Sequence, residues 1–231
     1  MMIQGRLLKR YNRFLADVEL ENGEMVTAHC PNSGKLLGVH QNAQVLLKDL
    51  GFSEKRKLQY RWDYFLDSDS STWVGINTHM ANDTVGQLID SKIIESFHNI
   101  ISSKREVKYG INSRIDFLLK TKENDIYLEV KSVHMKRGNH ACFPDCPTVR
   151  GSKHLKELEH LIENPFYKAY VVFLVQRHDC DFFSVAKDLD PDFYQAFLHA
   201  KQAGVQFFAL SMKNDSFGGY EFFKEIDVTY D

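Results

Sequence analysis

The sequence predicts two joined domains, a small β-barrel over residues 1–80 and an α/β domain over residues 81–231. Two observations predict this division. Short strand-patterned segments separated by turn residues fill the first part, which has no long helical pattern. Helical and strand patterns alternate in the second part, which is typical of a sheet covered by helices on both faces.

Five segments of the N-terminal part have strand patterns. In the first, Ala16, Val18 and Leu20 share one face at a period of two. The Asn22-Gly23 pair that follows tolerates positive φ and therefore predicts a tight turn. Five short strands fit an OB-like barrel, which is a frequent platform for nucleic acids. The predicted strands cover residues 14–20, 25–28, 44–50, 58–66 and 73–76.

The C-terminal part begins with a helical pattern over residues 82–97 and continues with three strands, a helix, a strand, a helix and a strand. Apolar residues at helical spacing predict the middle helix over residues 152–163, with Ser152 as its N-cap. Pro191 and Gly204 mark the beginning and end of the last helix. The predicted strands cover residues 105–109, 114–119, 126–133, 170–176 and 205–210.

Composition indicates the cellular setting. The chain has 43% hydrophobic and 26% charged residues, which is ordinary for a packed globular protein. We find no apolar stretch near the ~18 residues that a membrane span needs, and no signal peptide pattern. The four cysteines lack the spacing of a zinc site. We therefore expect a cytoplasmic protein with reduced thiols and no membrane partner, and its oligomeric state is left open.

Two neighbouring predicted strands carry acidic side chains that can meet. Strand alternation places Asp116 opposite an apolar face of residues 115, 117 and 119, and it places Glu129 and Lys131 together on the polar face of the next strand. Two carboxylates at close range repel each other unless a cation lies between them. Asp116 and Glu129 are therefore candidate ligands of Mg²⁺ or Mn²⁺, with Lys131 as the group that orients water or stabilises phosphate charge. One alternative is a solvated strand face without chemistry. Another is a sugar-hydrolysing site with paired acids, although the adjacent lysine favours phosphate.

Six basic residues in two clusters are the candidate nucleic-acid contacts. The formal net charge is −2, so the clusters and not the total charge indicate a polyanionic partner. The second cluster begins the middle helix, where cations oppose the helix dipole unless a phosphate binds between them. Compensation by Glu157 and Glu159 on the same helix is the alternative. The six residues are Lys9, Arg10, Arg13, Arg150, Lys153 and His154.

Several stretches, in order along nearly the whole chain, carry a resemblance to a known family. Among them are KRYNRFLAD at 9–17, AHCPNSG at 28–34, NSRIDFLL at 112–119, EVKSV at 129–133 and RGSKHL at 150–155. With these stretches the chain resembles the bacterial and archaeal sugar fermentation stimulation protein family.

The resemblance implies an OB-like N-terminal domain and a restriction-endonuclease-like C-terminal domain similar to PD-(D/E)xK nucleases. It also implies DNA binding and a regulatory role in sugar (maltose) metabolism. The residues that match the nuclease motif are Asp116, Glu129 and Lys131, whereas Ile115 stands where the proline of the motif precedes the aspartate.

Three functions remain open at this point. The first is a largely sequence-nonspecific DNA-binding protein with a metal-dependent nuclease site. The second is a non-catalytic DNA-binding regulator that keeps the same acidic triad. The third is an RNA-processing nuclease, because OB folds also accept single-stranded RNA. The sequence leaves open whether the protein is an enzyme.

Overall fold

Two β-sheets divide the chain at Asn77, just before the boundary expected at residue 80. The structure is a computed structural model that describes residues 1–110 and 113–230. Asn112, which begins one of the stretches quoted above, lies outside the described residues. Across those residues, no helix combines the length and the apolar character that crossing a bilayer requires.

Six strands form the N-terminal sheet, and five of them close into a barrel. The strands are β1 (Met2–Tyr11), β2 (Leu15–Leu20), β3 (Met25–His29), β4 (Gln44–Asp49), β5 (Tyr60–Asp67) and β6 (Thr72–Gly75). The order is β3-β2-β1-β4-β5-β6, and a parallel pairing of β3 with β5 closes the ring. The predicted OB-like barrel is confirmed, and its core includes Trp62 and Val18.

The membership of the barrel differs from the prediction. Strand β1 was not expected, although it pairs with both β2 and β4, and β6 lies outside the closed ring. The physical reason is that Leu7 is the only fully buried residue of β1. The apolar alternation that indicates a strand is therefore weak there.

Among the described residues, nine strands and three α-helices form the second domain. The strands are β7 (Ser102–Tyr109), β8 (Ser113–Lys120), β9 (Asp125–Val133), β10 (Met135–Arg137), β11 (His140–Phe143), β12 (Tyr167–Val175), β13 (Phe182–Val185), β14 (Gln206–Asn214) and β15 (Tyr220–Val228). The helices are α1 (Thr78–Ser91), α2 (Val149–Leu161) and α3 (Pro191–Ala203). The sheet order is β10-β11-β13-β15-β14-β12-β9-β8-β7. Strands β10, β11, β13 and β15 were not predicted, and the first three of them have only three or four residues.

Helices cover both faces of this sheet, as expected. Leu155 of α2 and Phe197 of α3 pack into one core, and Val85 of α1 packs into a second core on the opposite face. Strand β12 lies between β9 and β14 and pairs in parallel with both. Its residues from Ala169 to Val175 are buried, which explains the continuous apolar run in the sequence.

Two helix boundaries differ from the prediction. Helix α1 begins at Thr78, and Lys92 ends it with a left-handed φ of 53°. Helix α2 begins at Val149, where the Thr148 hydroxyl accepts the N–H of Gly151 at 3.0 Å. Ser152 is therefore not the N-cap. It lies inside the first turn and donates to the carbonyl of Thr148.

Buried polar side chains join the barrel to the α/β domain. Arg177, which follows β12, has a side chain only 2% exposed, and it donates to Asp67 of β5 at 2.6 Å and to both oxygens of Asp179. Asn214 of β14 donates to the carbonyl of Trp73 in β6 at 2.9 Å. The interface is thus fixed by hydrogen bonds of defined direction, in addition to apolar packing.

Replacing Arg177 with methionine should destabilise the protein strongly. The change leaves the half-buried carboxylates of Asp67 and Asp179 without their guanidinium partner, and losing one member of a buried pair costs about 3–5 kcal/mol. Urea unfolding measures the loss. Arg137→Met is the matched control, because Arg137 pairs with Asp188 at the surface, where a pair contributes about 1 kcal/mol or less. Equal losses for the two variants would contradict this role.

Candidate active site

The candidate site forms where β8 separates from β9. The antiparallel ladder between these strands ends at the pair Phe117 and Leu128. The next pair in register would set Asp116 directly opposite Glu129, where like charges destabilise a sheet. The Asp116 side chain instead reaches the main chain of β9, and its Oδ2 accepts the N–H of Val130 at 2.7 Å.

The apolar face expected for residues 115, 117 and 119 is not continuous. Ile115 packs in the core beneath α2 and α3, whereas Phe117 packs in the opposite core beneath α1. The strand therefore changes faces around Asp116. On the neighbouring strand β7, the ladder skips the pair of Glu106 and Asp116, and Glu106 has a left-handed φ of 55°. The regular alternation assumed from the sequence fails at this irregularity.

Glu129 is a buried carboxylate with two basic partners. It is 4% exposed, and its Oε1 accepts from Lys131 Nζ at 2.6 Å and lies 2.6 Å from His154 Nδ1. The other ring nitrogen of His154 accepts from Arg150 Nε at 3.4 Å, so Nδ1 carries the proton and donates to Glu129. Within the described residues, Oε2 of Glu129 is buried without any hydrogen-bond partner.

The two carboxylates have pKa values shifted in opposite directions. Burial and the charge of Glu129 raise the pKa of Asp116 to about 6. Burial by itself raises the pKa of Glu129, but Lys131 and His154 outweigh that effect and bring it down to about 2. Asn82 of α1 donates to Asp116 Oδ1 at 2.8 Å and fixes its orientation. At neutral pH the site therefore holds two negative carboxylates in a desolvated position.

These groups lie in a cleft of about 1170 Å³ whose walls come from both domains. The barrel contributes the β1–β2 turn and a loop over residues 32–35, and the α/β domain contributes β9 and the beginning of α2. The lining is polar and carries six arginine and lysine residues beside five aspartate and glutamate residues. The basic residues of the lining are Arg10, Arg13, Lys35, Arg105, Lys131 and Arg150.

The structure brings Asp116, Glu129 and Lys131 into this one cleft. In the described part of the chain, no group of three or more His, Cys, Asp or Glu side chains has the arrangement of a metal site. A two-carboxylate arrangement is still compatible with Mg²⁺, which is commonly held by one or two carboxylates together with water and substrate phosphates.

The predicted basic contacts separate into several groups. Arg13 and Arg150 are exposed and line the cleft. Lys9 lies outside the lining and pairs with Asp17 at 3.4 Å. Lys153 pairs with Glu157 at 3.5 Å, as the compensation alternative expected, and faces a separate groove of about 1330 Å³ beside α2.

Two of the predicted contacts have structural partners instead. His154 is 4% exposed and bonds to Glu129, so it orients a carboxylate and is not a surface cation. Arg10 is half-buried, and its guanidinium donates to the carbonyls of Asn32 and Gly34 at 2.6 and 2.8 Å. The sequence clusters did not distinguish these two from exposed cations, because burial depends on distant segments.

Sequence reasoning missed three further residues of the cleft. Asn82 orients Asp116, Lys35 is exposed on the barrel wall, and Glu106 stands beside Asp116 on β7. Asn82 begins the helical pattern predicted over residues 82–97, and a polar residue is unremarkable at the beginning of a helix. The sequence contains no local signal for the other two, since they reach the site only through the fold.

Comparison with known proteins covers both domains. Residues 8–76 match the SfsA N-terminal OB domain, and residues 79–217 match the sugar fermentation stimulation protein RE domain. The sugar fermentation stimulation protein homolog of Pseudoalteromonas atlantica is 40% identical over 91% of this chain and 90% of its own length. That of Synechocystis sp. is 43% identical over 89% of this chain and 86% of its own length.

A solved structure has the same fold. SfsA of Pyrococcus furiosus, determined in complex with Ca²⁺, superposes with a TM-score of 0.90 at 26% identity and covers 99% of this chain and 96% of its own. The predicted fold class, an OB-like barrel followed by an α/β domain of restriction-endonuclease type, is confirmed. The chain belongs to the sugar fermentation stimulation protein family.

Proposed function

We propose that the protein binds DNA in the cleft between its two domains, with little preference for sequence, and hydrolyses the phosphodiester backbone with Mg²⁺ or Mn²⁺ in the cytoplasm. The observation that carries this proposal is the unpartnered Oε2 of Glu129. Leaving a buried polar atom without a partner costs about 1–3 kcal/mol, and more when the group is charged. A divalent cation between Glu129 and Asp116 would offset that cost.

Both the donor set and a relative support a divalent cation. Asp116 and Glu129 would hold it through carboxylate oxygens, the ligands that Mg²⁺ and Mn²⁺ prefer. The related protein of Pyrococcus furiosus was determined in complex with Ca²⁺, which also takes oxygen ligands. When bound, such a cation polarises a phosphoryl oxygen and lowers the pKa of water.

The remaining groups orient the two carboxylates and the substrate. Asn82 and the N–H of Val130 hold Asp116 in one position. His154 occupies Oε1 of Glu129, so that Oε2 is left for the cation. Lys131 is 11% exposed, and its ammonium group supplies a positive charge toward a phosphate in the cleft.

The proposal of DNA binding rests on two exposed arginines of the cleft. Arg13 and Arg150 line it from opposite domains and are exposed. The match to an OB domain supports a nucleic-acid partner, since this barrel commonly binds oligonucleotides. We expect contacts to the backbone to dominate, because such contacts position a protein without carrying sequence information.

Asp116→Asn should abolish Mn²⁺ binding and stabilise the metal-free protein. The folded-state pKa of Asp116 is raised to about 6, so the folded protein favours the protonated carboxyl group. The stability that this protonated group contributes is fully present below about pH 4 and is lost as the pH rises through about 6. At about pH 7.5, the free energy of unfolding of metal-free Asp116→Asn should therefore exceed that of the wild type by about 1–3 kcal/mol. This gap should shrink toward about pH 4. Unfolding in EDTA measures the gap.

Unfolding in Mn²⁺ then tests the metal assignment, because a ligand stabilises only the state that binds it. Mn²⁺ should raise the melting temperature of the wild type and leave that of Asp116→Asn unchanged. Asp69→Asn is the matched control, since Asp69 lies in the exposed loop between β5 and β6, and it should respond like the wild type. A shift of equal size in Asp116→Asn would refute the assignment.

Plasmid nicking in Mg²⁺ separates the enzyme from the non-catalytic regulator of sugar metabolism. Wild type and Asp69→Asn should nick, and Asp116→Asn should not. Lys131→Ala should retain Mn²⁺ binding but nick about 10²-fold more slowly, as is typical when one charge-stabilising group is removed. Binding of DNA by a wild type that nicks neither DNA nor RNA would favour the regulator.

DNA affinity should fall steeply with salt and depend on the cleft. We expect a loss of about tenfold or more between low and physiological salt if several phosphates are contacted. Arg13→Ala should weaken binding more than Lys9→Ala, because Arg13 lines the cleft and Lys9 does not. Fluorescence anisotropy with oligonucleotides of several sequences measures both effects. A salt-independent affinity or a strong preference for one sequence would count against this mode of binding.

A further inference from the structure

The barrel loop over residues 32–35 faces the cleft and is held by hydrogen bonds at both ends. The Asn32 side chain is 6% exposed, donates to the carbonyl of Ile76 at 2.9 Å and accepts the N–H of Gly34 at 2.8 Å. After the loop, the N–H of Leu36 donates to Asp145 Oδ2 at 2.6 Å. Both ends of the loop are thus fixed to other parts of the fold.

Arg10 holds the same loop from beneath. Its guanidinium donates to the carbonyls of Asn32, Gly34 and Arg13 at 2.6, 2.8 and 2.9 Å. Among residues 1–110 and 113–230, no carboxylate forms an ion pair with Arg10. Carbonyl oxygens satisfy the N–H groups without cancelling the charge, so a positive charge remains under the loop.

The loop approaches the α/β domain closely at Gly34. A Cβ at this position would lie 2.5 Å from Asp145 Oδ1, so only glycine fits without a shift of the carboxylate or the loop. The Asp145 carboxylate also belongs to the lining of the cleft, accepts the N–H of Leu36 and lies 3.5 Å from His134. Ser33 and Lys35, between the anchors, are exposed in the cleft.

We propose that loop 32–35 is a phosphate-binding loop, which holds a backbone phosphate of the DNA strand in the cleft. Lys35 supplies a charge, Ser33 supplies a hydroxyl donor, and the fixed main chain keeps both in place without further ordering. This inference rests on the proposed function, since it assigns the cleft to a DNA strand. It adds that the barrel positions the strand that the α/β domain acts on.

The test is DNA binding by Lys35→Ala, measured by anisotropy in EDTA over a series of salt concentrations. Removing one phosphate contact should weaken binding about three- to tenfold and reduce the salt slope by about one. Adding Ser33→Ala should weaken it about twofold or more again, as expected for a lost hydrogen bond. Lys57→Ala is the matched control, because Lys57 is an exposed lysine of the same barrel outside the cleft lining, and it should bind within about twofold of the wild type.

The result that overturns the loop is equal binding by Lys35→Ala and Lys57→Ala. Because binding is measured in EDTA, it does not depend on cleavage. If Lys35→Ala weakens DNA binding but the wild type does not nick DNA, the loop proposal is supported and the nuclease proposal is wrong. If the protein nicks DNA but Lys35→Ala binds DNA as well as the wild type does, the nuclease proposal stands and the loop proposal is wrong. If the wild type binds no DNA, both proposals are wrong.

Discussion

The ion pair between buried Arg177 and Asp67 joins the β-barrel to the sheet of the second domain, and the cleft of the candidate site is lined by both of the parts that it joins. Arg177 follows β12, and Asp67 ends β5, so this contact links an inner strand of the sheet to the barrel, as does the hydrogen bond from Asn214 to Trp73. The walls of the cleft come from both domains. Separating the two domains would break this pair at Arg177, whose side chain is only 2% exposed, and breaking a buried pair is costly.

Within the cleft, two carboxylates of unlike character are brought together. Two basic partners keep Glu129 charged, whereas Asp116 has an amide and a main-chain N–H as partners and keeps a raised pKa. Environments that push the pKa values of paired groups apart are typical of functional sites, although structural ion pairs also shift pKa values. The buried Oε2 of Glu129, which has no partner among the described residues, lies in the same cleft as Asp116 and is therefore the atom that a cation would contact first.

The basic residues divide between support and contact. Arg10 and His154 lie inside the walls of the cleft, where they hold a loop and a carboxylate. Arg13 and Arg150 are at its surface. In the sequence these residues form two clusters in which supporting and surface cations look alike. Local charge patterning does not show whether a guanidinium group contacts solvent or a carbonyl oxygen. Removing a supporting residue would alter binding through the shape of the cleft, and removing a surface residue would alter it through charge.

The sequence by itself predicted the OB-like barrel, most of the strands and the helices on both faces of the second sheet, because period-two and helical patterns are local. It also named Asp116, Glu129 and Lys131, although the alternation expected around Asp116 is broken in the structure. Only the tertiary structure decided that β1 completes the barrel, that β8 leaves β9 beside Asp116, and that His154 meets Glu129 from 25 residues away. Contacts of this kind arise from the packing of distant segments and from the need to satisfy buried charge, which no local pattern encodes.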